Sequence, residues 1–259
     1  MKRIKLTIEY KGTAYSGWQR QANGVGVQQV VEEALSYVLN EQIKITASGR
    51  TDEGAHAFGQ VAHFDTETKV DVPKIALAAN THLPPDVRIL KSEEAGADFN
   101  ARYDAKSKTY LYKCYIGAVA SAVRFDTHYQ IAPPISLDAM RAAAKHFIGE
   151  HDFKAFAATG RNKRTQEDGA TVCLKYPLTT VREIYELRLE ERDGDELWFY
   201  VTGNGFLYNM VRIIVRTLIE AGKGRIKPES IPEIILSKDR ARVKELAPAK
   251  GLYLLNVMF

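Results

Sequence analysis

Two hydrophobic periods alternate along the first hundred residues, and their order restricts the folds open to this chain. Residues 5–10 alternate polar and apolar side chains, the pattern of a strand, whereas apolar side chains between residues 27 and 38 recur at helical spacing. The remaining elements of this part are predicted as strands at 43–47, 59–65 and 86–90 and a helix at 73–79 that Pro73 opens. The order β-α-β-β-α-β is the ferredoxin-like arrangement.

The rest of the chain repeats this order with longer connections. Ser136 is predicted to cap a helix that runs to Phe147. The other predicted elements are strands at 107–116, 181–189, 197–201 and 252–258, a mostly apolar helix at 206–221, and an inserted short helix at 228–236. We therefore predict an α+β protein with two ferredoxin-like halves, residues 1–100 and 101–259, whose antiparallel or mixed sheets face a central cleft.

Composition excludes several classes of protein. Hydrophobic residues make up 45% of the 259 residues and charged residues 26%, which argues against a disordered or collagenous chain. The sequence contains no run of eighteen apolar residues, so no transmembrane helix is predicted. Residues 1–10 lack the apolar run of a signal peptide, and we therefore expect a cytoplasmic location. Cys114 and Cys173 form no C-x-x-C pair. A net charge of +4 permits a polyanionic partner without demanding one.

A polar loop between two predicted strands is the first candidate for a functional site. Residues 47–57 read ASGRTDEGAHA, so Gly49 and Gly54 flank Arg50 and Asp52. Glycines allow a tight, exposed turn that could present these two side chains. The alternative is an ordinary turn in which the aspartate bonds its own backbone.

Arg212 lies within the apolar helix, and a buried guanidinium needs an anion. Asp52 is a plausible partner if the two halves share a cleft, because arginine and a carboxylate pair well. The alternative is that Arg212 and Arg216 extend together along one exposed stripe of the helix, four residues apart.

Two further segments could bind nucleic acid. Tyr110 and Tyr112 share one face of a predicted strand. Such rings are usually core residues, but in a nucleic-acid enzyme a ring can stack on an extruded base. The polar stretch 159–169 contains Arg161 and Lys163 and is either a solvated loop or an arm that contacts phosphates.

Cofactor and metal motifs are weak or missing. His56 and His63 are seven residues apart with no third histidine placed beside them, and no phosphate-binding loop, dinucleotide fingerprint or nucleophile elbow occurs. A cofactor-independent reaction centred on a carboxylate is the interpretation that remains.

Five motifs, in order along the chain, resemble those of the tRNA pseudouridine synthase A family. The segment GRTDEGAHA at 49–57 is similar to the catalytic motif of that family. The supporting segments are YKGTAYSGWQRQ at 10–21, FNARY at 99–103 with KTYLY at 108–112, FLYNMVR at 206–212 and PAKGLYL at 248–254. The resemblance thus extends from Tyr10 to Leu254.

The resemblance implies an enzyme that converts uridine to pseudouridine at positions thirty-eight to forty of the tRNA anticodon stem-loop, without a cofactor and as a homodimer. Asp52 matches the essential aspartate, Tyr110 the tyrosine beside the target base, Arg212 the partner of the aspartate, and Arg50 an arginine near the flipped nucleotide. Asp52 could act as a nucleophile or as a base, and the sequence leaves both open.

Two other functions compete with this one. The first is a non-catalytic RNA-binding protein with two ferredoxin-like modules, for which Asp52 would be dispensable. The second is a metal-dependent nuclease that uses Asp52, Glu53 and Asp65, and that a chelator would inactivate.

Overall fold

A computed structural model describes residues 1–158, 179–192 and 194–259. The strands in these ranges are β1 (Lys2–Tyr10), β2 (Thr46–Ala47), β3 (His56–Thr66), β4 (Val87–Ala95), β5 (Ser107–Ile116), β6 (Tyr129–Ile131), β7 (Gly149–Asp152), β8 (Val181–Arg192), β9 (Glu196–Gly203) and β10 (Leu252–Met258). The α-helices are α1 (Val27–Leu39), α2 (Val72–Asn80), α3 (Leu137–Lys145), α4 (Met210–Gly222) and α5 (Ile231–Ser237). Short 3₁₀ turns occur at Gly12–Ala14, Phe153–Phe156, Pro228–Ser230, Arg240–Val243 and Ala249–Gly251.

The sheet confirms the α+β class and shows how the halves are joined. Strands β4-β1-β3, with β2 on β3, form the first half, and β10-β5-β9-β8 form the second, so each half has the strand order of a ferredoxin-like unit. The two halves share one continuous sheet, because β10 pairs in parallel with β3 at His56 and Ala57. The halves therefore meet edge to edge, and the loop before β3 lies at this seam. The boundary predicted at residues 100 and 101 falls between β4 and β5 and stays a prediction.

Strand β2 is shorter than predicted and does not reach the junction. The sequence predicts a strand over 43–47, but only Thr46 and Ala47 pair with β3, opposite His63 and Ala62. The prediction is wrong for residues 43–45, because side chains of α1 accept hydrogen bonds from their backbone N–H groups. Ile43 N–H donates to Ser36 Oγ and Ile45 N–H donates to Glu32 Oε1. At its other end β2 stops at Ala47, opposite Ala62, so the first residues of β3 have no β2 partner and β10 pairs with His56 and Ala57.

The helices cover one face of the sheet. Tyr110, Tyr112 and Cys114 of β5 belong to the main core beneath them, whereas Leu111 packs with Tyr200 and Tyr253 on the opposite face, as a period of two requires. The Ser136 cap is confirmed, since its side chain accepts from Ala139 N–H. Strands β6 and β7, of three and four residues, are absent from the sequence prediction.

Helix α4 begins four residues later than predicted. Its first residue is Met210, because Asn209 adopts φ +61°, ψ +6° in the left-handed region and separates Phe206 from the helix. Asparagine tolerates this conformation better than most side chains do. Within the described residues, no helix combines the length and apolar character that crossing a membrane requires.

Candidate active site

The loop between β2 and β3 holds Asp52 and is fixed by the N-terminal segment. Trp18 N–H donates to the Thr51 carbonyl at 3.1 Å. Gly54 adopts φ +75° and Gly17 φ +85°, both in the region that favours glycine. A Cβ on Gly17 would also lie 2.8 Å from the Thr51 carbonyl oxygen. These contacts fix the conformation of the predicted turn and thereby the position of the Asp52 carboxylate.

The side chain of Thr51 adds a buried contact under the loop. Its Oγ1 lies 2.7 Å from the Tyr10 hydroxyl. Burial raises the pKa of Tyr10 well above its usual value, so this hydroxyl stays protonated and can donate. The sequence motif that contains Tyr10 does not indicate this contact with the Asp52 loop, which depends on the tertiary structure.

Asp52 and Arg212 form the ion pair that the sequence analysis predicts. Arg212 Nη1 lies 2.6 Å from Asp52 Oδ2, and the side chains are 13% and 19% exposed, respectively. Arg212 also donates from Nε to the Ala247 carbonyl at 2.7 Å and from Nη1 to Asn209 Oδ1 at 2.8 Å. The guanidinium is thus held from three directions, and it holds Asp52 in an orientation set by both halves of the chain.

Asn209 is a site residue that the sequence analysis missed. Its left-handed backbone directs the side-chain oxygen at Arg212, three residues further along the chain. A non-glycine residue in this conformation often marks a functional site. The sequence contained one signal, an asparagine just before an apolar helix with an arginine in its first turn.

The exposed-stripe alternative for α4 is wrong. The Arg216 side chain is only 16% exposed and pairs with Glu220 at 2.9 Å and with Glu245. It also donates to the Tyr129 hydroxyl at 2.6 Å. The two arginines of α4 therefore have separate acceptors, and Arg216 is not directed at Asp52.

The two tyrosines of β5 have different surroundings. Tyr112 is fully buried and its hydroxyl donates to the Pro248 carbonyl at 2.6 Å, so it is a core residue. Tyr110 is 8% exposed and meets Phe206 edge-on, with ring centroids 5.1 Å apart. Burial, and after it the charge of Asp52, raise the pKa of Tyr110 well above its usual value. Tyr110 therefore presents a neutral hydroxyl in the neighbourhood of the carboxylate.

The remaining candidates are scattered. Arg50 is exposed at the start of the Asp52 loop, and Arg161 and Lys163 lie outside the described residues. Asp65 lies near the end of β3, where Arg3 Nη2 contacts its carboxylate at 2.7 Å. Across the part of the chain that the structure describes, no three His, Cys, Asp or Glu side chains gather as metal ligands. The trio proposed for a nuclease is therefore not assembled.

His56 has a structural role that the sequence analysis did not foresee. Its Nδ1 accepts from Gly12 N–H at 3.0 Å, so the proton of the neutral ring lies on Nε2. Nε2 lies 3.1 Å from the Asp126 carbonyl and 3.0 Å from the Lys250 carbonyl. His56 thereby connects the N-terminal segment to two segments of the second half, directly beside the β3–β10 junction.

We expect acid to destabilise the protein through its buried histidines. Burial is the main cause that lowers the pKa of His56, His63 and His128. The unfolded chain, with histidine pKa values near about 6.5, then binds more protons than the folded one, and the free energy of unfolding falls as the pH drops below that value. Urea unfolding at about pH 7.5 and pH 5.5 measures the loss.

His56→Gln should reduce this pH dependence. In the wild type, a proton on His56 Nδ1 would face the Gly12 N–H that now donates to it, and the glutamine side chain does not titrate. His82→Gln is the matched control, since His82 is exposed and its replacement should leave the dependence as in the wild type. An acid response of His56→Gln equal to that of the wild type would contradict the role assigned to His56.

Comparisons with known proteins confirm the resemblance that the motifs indicate. A family model described as tRNA pseudouridine synthase matches residues 6–104 and 143–259. Over 259 residues, and all of both chains, the protein is 44% identical to tRNA pseudouridine synthase A of Ruminiclostridium cellulolyticum and 41% identical to that of Caldicellulosiruptor saccharolyticus. A chain of the solved archaeal box H/ACA sRNP Nop10–Cbf5 complex is 15% identical, with a TM-score of 0.37. The match covers 83% of this chain and 42% of that chain. The chain belongs to the tRNA pseudouridine synthase family, whose members are isomerases that act on tRNA.

Proposed function

We propose that this protein converts uridine to pseudouridine in the anticodon stem-loop of tRNA, at positions thirty-eight to forty, with Asp52 as the essential catalytic group. The observation that carries the proposal is the Asp52–Arg212 pair at 2.6 Å, at the seam of the two halves and in the neighbourhood of Tyr110. A carboxylate that is oriented by an arginine and still 19% exposed is suited to attack or to accept a proton.

The reaction has three requirements that this site can meet. The glycosidic bond must break, the uracil must rotate, and its C5 must bond to the ribose C1′. Asp52 can act as a nucleophile or as a base that removes a ribose proton, and its ion pair with Arg212 orients the carboxylate for either route. The target nucleotide must first leave the stem, which costs a few kcal/mol of unstacking. We propose that Arg50, in the same loop, contacts the flipped nucleotide.

Tyr110 is proposed to stack on the uracil and keep it in place while it rotates. Tyr110→Phe keeps the ring and its contact with Phe206, so it should remain largely active, whereas Tyr110→Leu loses the stacking surface and should lose most turnover. Single-turnover pseudouridine formation compares the two variants. Wild-type activity in both variants would show that Tyr110 has only a structural role.

The basic stretch 159–169 is proposed to contact tRNA phosphates. Replacing Arg161 and Lys163 together should weaken binding and flatten its salt dependence by roughly 0.7 to 0.9 log units for each phosphate that is no longer neutralised. Turnover at saturating tRNA should change little. A salt titration of tRNA binding by the double variant measures this. An unchanged slope of log Kd against log salt would show that the two side chains do not contact phosphates.

A homodimer and a cytoplasmic location, both expected from the sequence analysis, belong to this proposal. Sedimentation equilibrium tests the first and cell fractionation the second. A monomer at micromolar concentration that is fully active would contradict the dimer.

The decisive test of the function uses tRNA that carries tritium at uracil C5. Forming the new carbon–carbon bond releases that atom to water, so tritium release reports the isomerisation itself. We expect release from wild-type enzyme in buffer without added cofactor. Tight tRNA binding without any release would favour the non-catalytic RNA-binding alternative, and strand cleavage that a chelator abolishes would favour the nuclease.

A further inference from the structure

A lysine next to the candidate active site connects β5 with the loop that carries Asp52. Lys108 precedes Tyr110 by two residues in β5, so both side chains leave the same face of the strand. Its ammonium donates to the Ser48 carbonyl. It also lies close to Gly49, where an added Cβ would be 3.1 Å from Lys108 Nζ. The charge of Lys108 is thus held against the catalytic loop.

The charged groups that act on Lys108 are cations. Burial, and after it the charges of Arg102 in the turn before β5 and of Arg182 in β8, lower the pKa of Lys108 to about 8. In the described ranges of the chain, no carboxylate forms an ion pair with Lys108. The loop that it contacts carries Arg50, Asp52 and Glu53, of which Asp52 is paired with Arg212. The strand neighbours of Lys108, Gly203 and Val257, are uncharged.

Arg182 is the second cation of this region, and its charge acts on Lys108. It precedes the core residue Ile184 by two positions in β8, which places it on the face of the sheet that Tyr110 shares. Its Nη1 donates to the carbonyls of Thr179 and Val181, and burial lowers its pKa. A Cβ on Gly205 would lie 3.7 Å from Arg182 Nε, so the side chain lies along the segment that leads to Phe206.

Half-buried cations without a counter-ion cost folding free energy, because desolvation and mutual repulsion both disfavour the charged forms. Two other largely buried cations, Arg212 and Arg216, each have a carboxylate partner. An anion that binds between Lys108 and Arg182 would remove the repulsion. The backbone of an RNA substrate offers such an anion, and phosphate contacts are what fix its register on a protein.

We propose that Lys108 and Arg182 form a binding site for one phosphate of the RNA backbone, next to the nucleotide whose base lies at Asp52 and Tyr110. The proposal rests on the proposed function, because it takes RNA as the substrate. Two residues along a strand span about 7 Å, so a phosphate at Lys108 is adjacent to the base at Tyr110. The contact positions the target nucleotide and takes no part in bond making.

The site makes tRNA affinity depend on pH in a defined direction. Bound phosphate stabilises the protonated amine, so binding raises the pKa of Lys108 and, above about pH 8, requires the uptake of a proton. Affinity of the wild type should therefore fall as the pH rises from 7 to 9.5. Lys108→Arg should bind with little change over this range, because a guanidinium stays charged.

The experiment measures tRNA binding in the Asp52→Asn background, so that turnover does not enter the result. Lys108→Met should lower the slope of log Kd against log salt by roughly 0.7 to 0.9 units. Lys5→Met is the matched control: Lys5 is also half-buried but has its own carboxylate, Glu93 at 3.3 Å, and its loss should leave the slope unchanged. Thermal unfolding verifies that each variant is folded.

Arg182→Met gives a second, independent result. Removing this cation should weaken binding and move the pH midpoint of the remaining dependence upward, because Lys108 then has one positive neighbour fewer. A wild-type salt slope in folded Lys108→Met, or a pH dependence in Lys108→Arg equal to that of the wild type, would overturn the phosphate site. Neither outcome affects tritium release by wild-type enzyme, so the proposed isomerase activity is judged separately.

Discussion

Asp52→Asn should reduce pseudouridine formation by at least about 10³-fold while tRNA affinity stays close to that of the wild type. The amide has the size of the carboxylate and can still accept from Arg212, but it is neither a nucleophile nor a base at neutral pH. Affinity comes mainly from phosphate contacts, which this change does not touch. Single-turnover tritium release measures the first quantity and filter binding the second.

Asp65→Asn is the control for this variant. Asp65 lies at the other end of β3 and its carboxylate is engaged by Arg3, so its replacement should lower stability slightly and leave turnover unchanged. If Asp52→Asn released tritium at nearly the wild-type rate, the catalytic assignment of Asp52 would fail.

Arg212→Met should have the second largest effect, a loss of about 3 kcal/mol that corresponds to roughly 10²-fold in turnover. The substitution leaves the largely buried Asp52 carboxylate without its counter-ion and leaves two acceptors, the Ala247 carbonyl and the Asn209 side chain, without their donor. We expect the loss in single-turnover rate at saturating tRNA, together with a lower midpoint in urea unfolding.

Arg216→Met separates these effects. It changes the same residue type in the same helix at similar burial, but Arg216 pairs with Glu220 and Glu245 rather than with Asp52. This variant should lose stability and keep the chemistry. Equal turnover losses in the Arg212 and Arg216 variants would show that α4 merely needs its charges to fold.

A double-mutant cycle examines the pair itself. In the Asp52→Asn background, Arg212→Met should cost less stability than in the wild type, because no carboxylate charge is then left unpaired. Additive losses would mean that the 2.6 Å contact contributes little to folding.

Several elements could be predicted from the sequence because local periodicity decides them. Strands β5 and β10 have the predicted limits, and Ser136 caps α3 as expected, since alternation and capping depend only on neighbouring residues. The limits of β2 and α4 could not be read in this way. Side chains of α1 take the backbone of Ile43 and Ile45, and the left-handed Asn209 delays the helix.

The candidate site shows the same division. The motif around Asp52 and the charge of Arg212 within an apolar helix are visible in the sequence, and so is the need of a buried guanidinium for an anion. The contributions of Asn209, His56 and Lys108 were not visible, because each depends on which distant backbone lies beside it.

The sequence by itself determined the order of strands and helices, the two ferredoxin-like halves and the residue types that the chemistry needs. Only the tertiary structure decided that the halves share one sheet and that Asp52 meets Arg212 across 160 positions of the chain. The physical reason is that hydrophobic period and turn chemistry act between neighbours. The pairing of β3 with β10 instead depends on an edge of β3 that β2 leaves open and on a strand that lies about 200 positions further along the chain.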